Sequence, residues 1–170
     1  MKSLITVIGL TLASTIVVAA DASATGAYVG NADQGNSKSA SCAGCHGSDG
    51  NSAIADYPKL SGQHATYLES TLKAYRDGAR ENAIMGGMAG ALSNEDIADL
   101  AAYYSQQTIS TGAVEAGLVI RGEQLYRFGD SSKGISACAA CHGPTGAGVA
   151  SAIFPSLKGQ WAAYSEKQLK

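Results

Sequence analysis

Cys42-Ala43-Gly44-Cys45-His46 and Cys138-Ala139-Ala140-Cys141-His142 are two copies of one pattern, Cys-x-x-Cys-His. Two thiols three positions apart can each form a thioether to one vinyl group of a haem, and the histidine that follows then lies under the iron as its proximal ligand. Cys42, Cys45, Cys138 and Cys141 are therefore the candidate attachment residues for covalent haem, and His46 and His142 the candidate iron ligands. Two copies imply two haem c groups. The motifs use all four cysteines of the chain, leaving none for a disulfide. A redox Cys-x-x-Cys pair has no need of the adjacent histidine, least of all twice, and a zinc site of four cysteines would leave both histidines idle.

Working outward, the two motifs head a longer repeat. CAGCHGSDGNSAIADYPKLSGQHATYLESTLK runs from residue 42 to 73, and CAACHGPTGAGVASAIFPSLKGQWAAYSEKQLK from 138 to 170. After one inserted residue in the second copy, Pro58 maps to Pro155, Leu60 to Leu157, Gly62-Gln63 to Gly159-Gln160, Tyr67 to Tyr164 and Leu72 to Leu169. Self-similarity over this length is far more specific than either short motif and predicts two copies of one domain. The first copy continues through Tyr75-Arg76-Asp77-Gly78 and Met85. The second reaches Lys170, the counterpart of Lys73, and so reads as incomplete.

Helical periodicity fills the spaces between these features. Helices are expected near 32–40, over 65–77, over 95–106 and over 115–128, and no stretch alternates well enough to predict a strand. In the second, Leu68, Leu72 and Tyr75 share a face, and Gly78 is suited to end the helix. The third has the strongest signals. Ser93 is an N-cap with Asp96 three residues on, Leu92 and Ile97 are spaced as a hydrophobic staple, and Ile97, Leu100, Ala101 and Tyr104 form an apolar stripe. The fourth opens the second domain with Leu118, Gly122, Leu125 and Tyr126. The polar, small-residue stretch 107–114 reads as a linker.

The N-terminus has the pattern of a secretory signal. Lys2 is followed by an uncharged apolar run from 4 to 20, and Ala22-Ser23-Ala24 fits the small-x-small cleavage site, with Val18-Ala19-Ala20 as a second candidate. The domain reading is thus a signal peptide at 1–24, a first domain at 25–106, a linker at 107–114 and a second, incomplete domain at 115–170. Without Lys2 the chain carries 11 basic against 14 acidic side chains, and it has no basic run of the kind that binds nucleic acid.

These residues together resemble the cytochrome c4 family, the dihaem class I c-type cytochromes of the bacterial periplasm. The resemblance rests on CAGCHGSDGNS (42–52), YPKLSGQ (57–63) and FPSLKGQ (154–160), IMGGMAGALSNEDIADLAAYY (84–104), and the repeat itself. It implies an all-α fold of two tandem class I cytochrome c domains, each holding one haem between a histidine and a methionine. Met85 and Met88 are both candidates on spacing, and the resemblance favours Met85 as the sixth ligand of haem 1. The counterpart of Met85 in the second repeat would fall at 182, so the methionine ligand of haem 2 is missing from this chain. The resemblance also implies that the Pro58 and Pro155 carbonyls accept the Nδ1–H bonds of His46 and His142. Gly122 and Tyr126 suggest the close crossing of terminal helices of cytochrome c folds, with the partner helix of the second domain absent from this sequence. Arg76 and Arg80 are candidates for haem propionates or for solvated surface charge. His64 reads as a surface residue, and Tyr103, Tyr104 and Trp161 as packing residues.

The function implied is single-electron transfer between respiratory partners in the periplasm, from a cytochrome bc-type complex towards a haem-copper terminal oxidase, with peripheral association with the membrane surface allowed. No catalytic acid, base or nucleophile constellation stands out, so the expected role is a carrier and not an enzyme. The other readings are the electron-transfer subunit of a flavocytochrome-type dehydrogenase and, if the second domain truly ends early, a ligand-binding or peroxidase-like haem protein.

Overall fold

The computed structural model describes residues 28–170, so the signal segment expected at 1–24 lies outside the described residues. The architecture is helical. In chain order the helices are α1 (Ala32–Lys38), α2 (Ala40–His46), α3 (Ala65–Arg76), α4 (Ala83–Ala89), α5 (Asn94–Ser105), α6 (Ala116–Phe128), α7 (Ala139–His142) and α8 (Ala162–Gln168), with short 3₁₀ turns at Ser131–Lys133 and Ala150–Ala152. Extended pairing among the described residues is confined to two isolated bridges, Asp130 with Ile135 and Val149 with Phe154.

The core of the first half is built on α5. Ser93 accepts the Asp96 backbone N–H, and the Asp96 carboxylate accepts the Ser93 backbone N–H in return, so the expected capping box is present in full. Ile97, Leu100, Ala101 and Tyr104 are all buried, and Leu68 of α3 joins Leu100, Ala101 and Tyr104 in one cluster. Burying Ile97 and Leu100 contributes roughly 1.5–3 kcal/mol each. Asp77 is the C-cap of helix α3, and Gly78 follows with a φ of 77°, a left-handed turn that a glycine adopts without strain.

A close helix crossing is present in the first half, at a glycine that the sequence reading did not single out. A Cβ on Gly35 of α1 would collide with the Asp99 carbonyl oxygen of α5 and lie 2.7 Å from the Tyr103 Cβ, whereas a Cβ on Gly122 of α6 would meet nothing within 4 Å. Among the described residues, α6 has no buried residue, and Leu118, Ile120 and Phe128 on it are exposed.

The haem motifs close α2 and α7. His46 is the last residue of α2 and His142 the last of α7, and each is followed by a glycine of positive φ, Gly47 at 81° and Gly143 at 74°. The chain then loops back along equivalent paths in the two halves. Leu60 and Ser61 donate backbone N–H bonds to the Gly50 carbonyl, and Leu157 and Lys158 donate to the Gly146 carbonyl. The stretch between α5 and α6 has no regular structure and is pinned to the first half. Ser110 N–H donates to Asn51 Oδ1 (2.7 Å), and Asn51 Nδ2 donates to the Thr108 carbonyl (3.0 Å).

Candidate functional site

Each motif presents its side chains from one or two turns of helix, so the two thiols and the histidine of a copy stay together. All four cysteines are unpaired; Cys42, Cys45 and Cys138 are partly buried and Cys141 is exposed. Among the described residues no group of three or more His, Cys, Asp or Glu side chains converges to hold a metal ion. The two cysteine pairs therefore serve two separate places, as haem attachment requires and a shared zinc site does not.

The two histidines are held identically. His46 Nδ1 donates to the Pro58 carbonyl at 2.8 Å, and His142 Nδ1 donates to the Pro155 carbonyl at 2.9 Å. This leaves Nε2 as the free lone-pair donor of each ring. His46 is 6 % exposed, and burial pushes its imidazole towards the neutral form, partly offset by the bond to Pro58. An aromatic ring stands against each imidazole, Tyr57 at 6.3 Å from His46 and Phe154 at 6.2 Å from His142, and these are the same position in the repeat.

Three observations fit a covalently bound haem. The thiols are free, each histidine is oriented by a proline carbonyl, and the Tyr104 hydroxyl, packed by the core beside Cys42, is buried without a hydrogen-bond partner. A buried phenol left unpaired is costly unless a bound group completes its surroundings.

The other candidates separate. Met85 is half-buried near the start of α4, with its N–H capped by Asn82 Oδ1 at 2.9 Å, while Met88 on the same helix is 41 % exposed. Both arginines are occupied by protein groups. Arg76 donates to Asp77, the Leu92 carbonyl and Asn94. Arg80 crosses to the second half, donates to Tyr164 (3.2 Å) and Gln168, and lies over the Tyr75 ring at 4.8 Å. His64 is not a free surface residue: it is half-buried, and its Nε2 bonds the Ala147 carbonyl at 2.8 Å. Its repeat counterpart, Trp161, does the same in reverse, donating from Nε1 to Ser52 Oγ at 2.9 Å, and Lys59 Nζ sits 4.4 Å above the Trp161 ring.

Sequence reasoning passed over Gln63 and Gln160, although the repeat aligned them. The Gln63 carboxamide pairs with both backbone groups of Ser156, and the Gln160 carboxamide pairs with both backbone groups of Lys59. Lys59 and Ser156 are also repeat counterparts, so the contact between the halves is self-complementary.

Comparison with known proteins agrees with this geometry. The cytochrome c family profile matches residues 32–108 and again 119–170. Cytochrome c4 of Pseudomonas aeruginosa is 45 % identical over 140 residues, covering 82 % of this chain and 70 % of that protein. A protein of Thiomonas intermedia named thiosulfate dehydrogenase electron acceptor is 45 % identical over 141 residues, covering 78 % of this chain and 63 % of that protein. The crystal structure of reduced recombinant cytochrome c4 from Pseudomonas stutzeri superposes with a TM-score of 0.79 at 42 % identity, over 83 % of this chain and 79 % of that one. A doubled motif, a doubled histidine clamp and relatives alike over most of the chain converge on one family. The chain belongs to the cytochromes c4, dihaem c-type electron-transfer cytochromes that hold haem c covalently.

Proposed function

We propose that this cytochrome works in the periplasm as a carrier of single electrons between respiratory partners, from a cytochrome bc-type complex towards a haem-copper oxidase. In this reading Cys42 and Cys45 attach haem 1, and Cys138 and Cys141 attach haem 2. His46 and His142 are the proximal ligands, and Met85 is the sixth ligand of haem 1. The bound haems supply the redox chemistry, each iron passing between ferric and ferrous states. The residues themselves move no proton and bind no substrate. The Pro58 and Pro155 carbonyls hold each Nδ1–H and so fix the ring orientation and its basicity. The domain division at 1–24, 25–106, 107–114 and 115–170 belongs to the same reading. Among the described residues no helix is long and apolar enough to cross a membrane.

The observation that carries this reading is the repeated His–Pro bond, 2.8 Å in one half and 2.9 Å in the other. It is tested on protein purified with its haem. Intact mass must show two haems, and Met85→Ala must convert haem 1 from low-spin to high-spin ferric iron and let reduced haem 1 bind carbon monoxide. Met88→Ala must do neither. If Met88→Ala gives the high-spin signal instead, the ligand assignment is wrong.

A second reading is favoured by the Thiomonas relative, whose name makes it an acceptor of electrons from thiosulfate dehydrogenase. On that reading the donor is a dehydrogenase rather than a bc-type complex. Stopped-flow reduction by each donor separates the two: the physiological donor reduces the protein at a rate that rises with donor concentration and falls with salt.

A further inference from the structure

Gln160 Oε1 accepts the Lys59 backbone N–H at 2.9 Å, and Gln160 Nε2 donates to the Lys59 carbonyl at 2.9 Å. The Lys59 N–H belongs to the same peptide unit as the Pro58 carbonyl, and that carbonyl holds His46 Nδ1 at 2.8 Å. One continuous chain therefore runs from Gln160 in the second half, through a single peptide, to His46 in the first. The mirror chain is equally complete. Gln63 Oε1 accepts the Ser156 N–H at 2.8 Å, Gln63 Nε2 donates to the Ser156 carbonyl at 3.0 Å, and the Pro155–Ser156 peptide carries the carbonyl that holds His142 Nδ1 at 2.9 Å.

The carboxamide orientations are set by their partners, since a backbone N–H can only donate and a carbonyl only accept. Each Oε1 also accepts the next backbone N–H, His64 for Gln63 and Trp161 for Gln160, both at 3.0 Å. The two side chains are thus pinned at both ends, and Gln63 is 7 % exposed.

From this we propose that Gln63 and Gln160 are crossed positioning residues: each polarises the peptide that holds the other half's haem histidine, and so tunes the other half's haem. The proposal rests on the reading of His46 and His142 as iron ligands. An acceptor on a peptide N–H polarises that peptide and makes its carbonyl a stronger acceptor. A stronger acceptor on Nδ1–H makes the imidazole more basic at Nε2, which favours ferric iron. Gln160 therefore lowers the potential of haem 1, and Gln63 lowers that of haem 2.

The test uses the full haem-loaded protein, with the two haems resolved by paramagnetic NMR during a redox titration. Gln160→Leu is expected to raise the ratio of reduced to oxidised haem 1 at fixed potential by on the order of threefold and to leave haem 2 unchanged. Gln63→Leu is expected to do the converse. Gln160→Glu keeps an acceptor at the Lys59 N–H and gives it a negative charge, so the haem 1 ratio falls. A shift of both haems in every variant, a shift of the haem in the substituted half, or no shift at all overturns the proposal and leaves the glutamines as clamps. The ligand reading is checked separately in the unsubstituted protein by the hyperfine-shifted Nδ1–H signals of two iron-bound histidines. Their absence overturns that reading and this one with it, whereas their presence without a crossed shift overturns this one alone. If a leucine variant does not fold, the Gln160→Glu shift still decides the matter: confined to haem 1 it supports the crossed path, and shared by both haems or absent it overturns it.

Discussion

Asp99 is 1 % exposed and accepts from three separate places: the Tyr28 hydroxyl at 2.7 Å, the Asn31 backbone N–H at 2.7 Å and Lys38 Nζ at 2.6 Å. Those bonds tie the entry to α1 onto α5 and hold the Asp99 carboxyl below its usual range, the Asn31 N–H first among the causes. Asp99→Asn removes the charge and turns an amide NH₂ towards donors, so it should destabilise the protein by about 2–3 kcal/mol in urea denaturation. Asp96 accepts the same lysine, and Lys38 with Ser93 holds its carboxyl down to about 2, against an ordinary 3.8. Both folded-state values are depressed, so their stabilisation is fully present above about pH 5 and is lost as the pH falls from about 4 towards 2. The urea midpoint should drop across that window, and Lys38→Met should flatten the drop; an unchanged slope would remove Lys38 from the account. None of this was legible in NEDIADL, where Asp96 already had a local partner in Ser93 but Asp99 read as an ordinary helix charge. Its partners lie 61 to 71 positions away, and no local pattern records them.

At the scale of elements, what was readable is what local chemistry controls. Helix α5 was visible in full because its cap, its staple and its apolar stripe are all local, and every residue of that stripe is buried. Helix α4 was not, because Ile84-Met85-Gly86-Gly87-Met88 has little helix propensity of its own. It forms because Asn82 caps it and because it packs on α3, with Ala89 fully buried. The glycine of the first half's helix crossing, Gly35, was passed over for a related reason. Gly35 and Gly122 both lie in helical sequence, and only the tertiary partner tells them apart. Gly35→Ala puts a methyl group into the α5 backbone, 2.6 Å from the Asp99 carbonyl carbon. Overpacking of this kind should cost about 2–3 kcal/mol. Thermal unfolding of this variant checks the cost, and an unchanged midpoint would mean that the crossing does not depend on a glycine.

Over the whole molecule, the repeat announced two haem-bearing halves, and the sequence alone aligned Gly62-Gln63 with Gly159-Gln160. What it could not show is that each glutamine reaches into the other half, because each meets its partner 93 to 101 positions along the chain. Buried hydrophobic side chains among the described residues all lie between Leu68 and Tyr104, and between 111 and 170 only Gly146 is buried. Trp161 ties the second half to the first. Its Nε1–H donates to Ser52, its ring carries Lys59 Nζ, and the same ammonium donates to the Ser110 carbonyl at 2.5 Å, joining both halves to the segment between them. Lys59 is 4 % exposed, so the cation–ring contact is a desolvated one. Trp161→Ala should cost the second half about 2 kcal/mol, which is about 30-fold in the local opening equilibrium. Native-state hydrogen exchange reads this directly. Amides of α6 and α8 should exchange about 30-fold faster, while those of α5, held by their own core, keep their protection. Equal acceleration in α5 would mean that the two halves open as one cooperative unit, and that the first half depends on the second as much as the second depends on it.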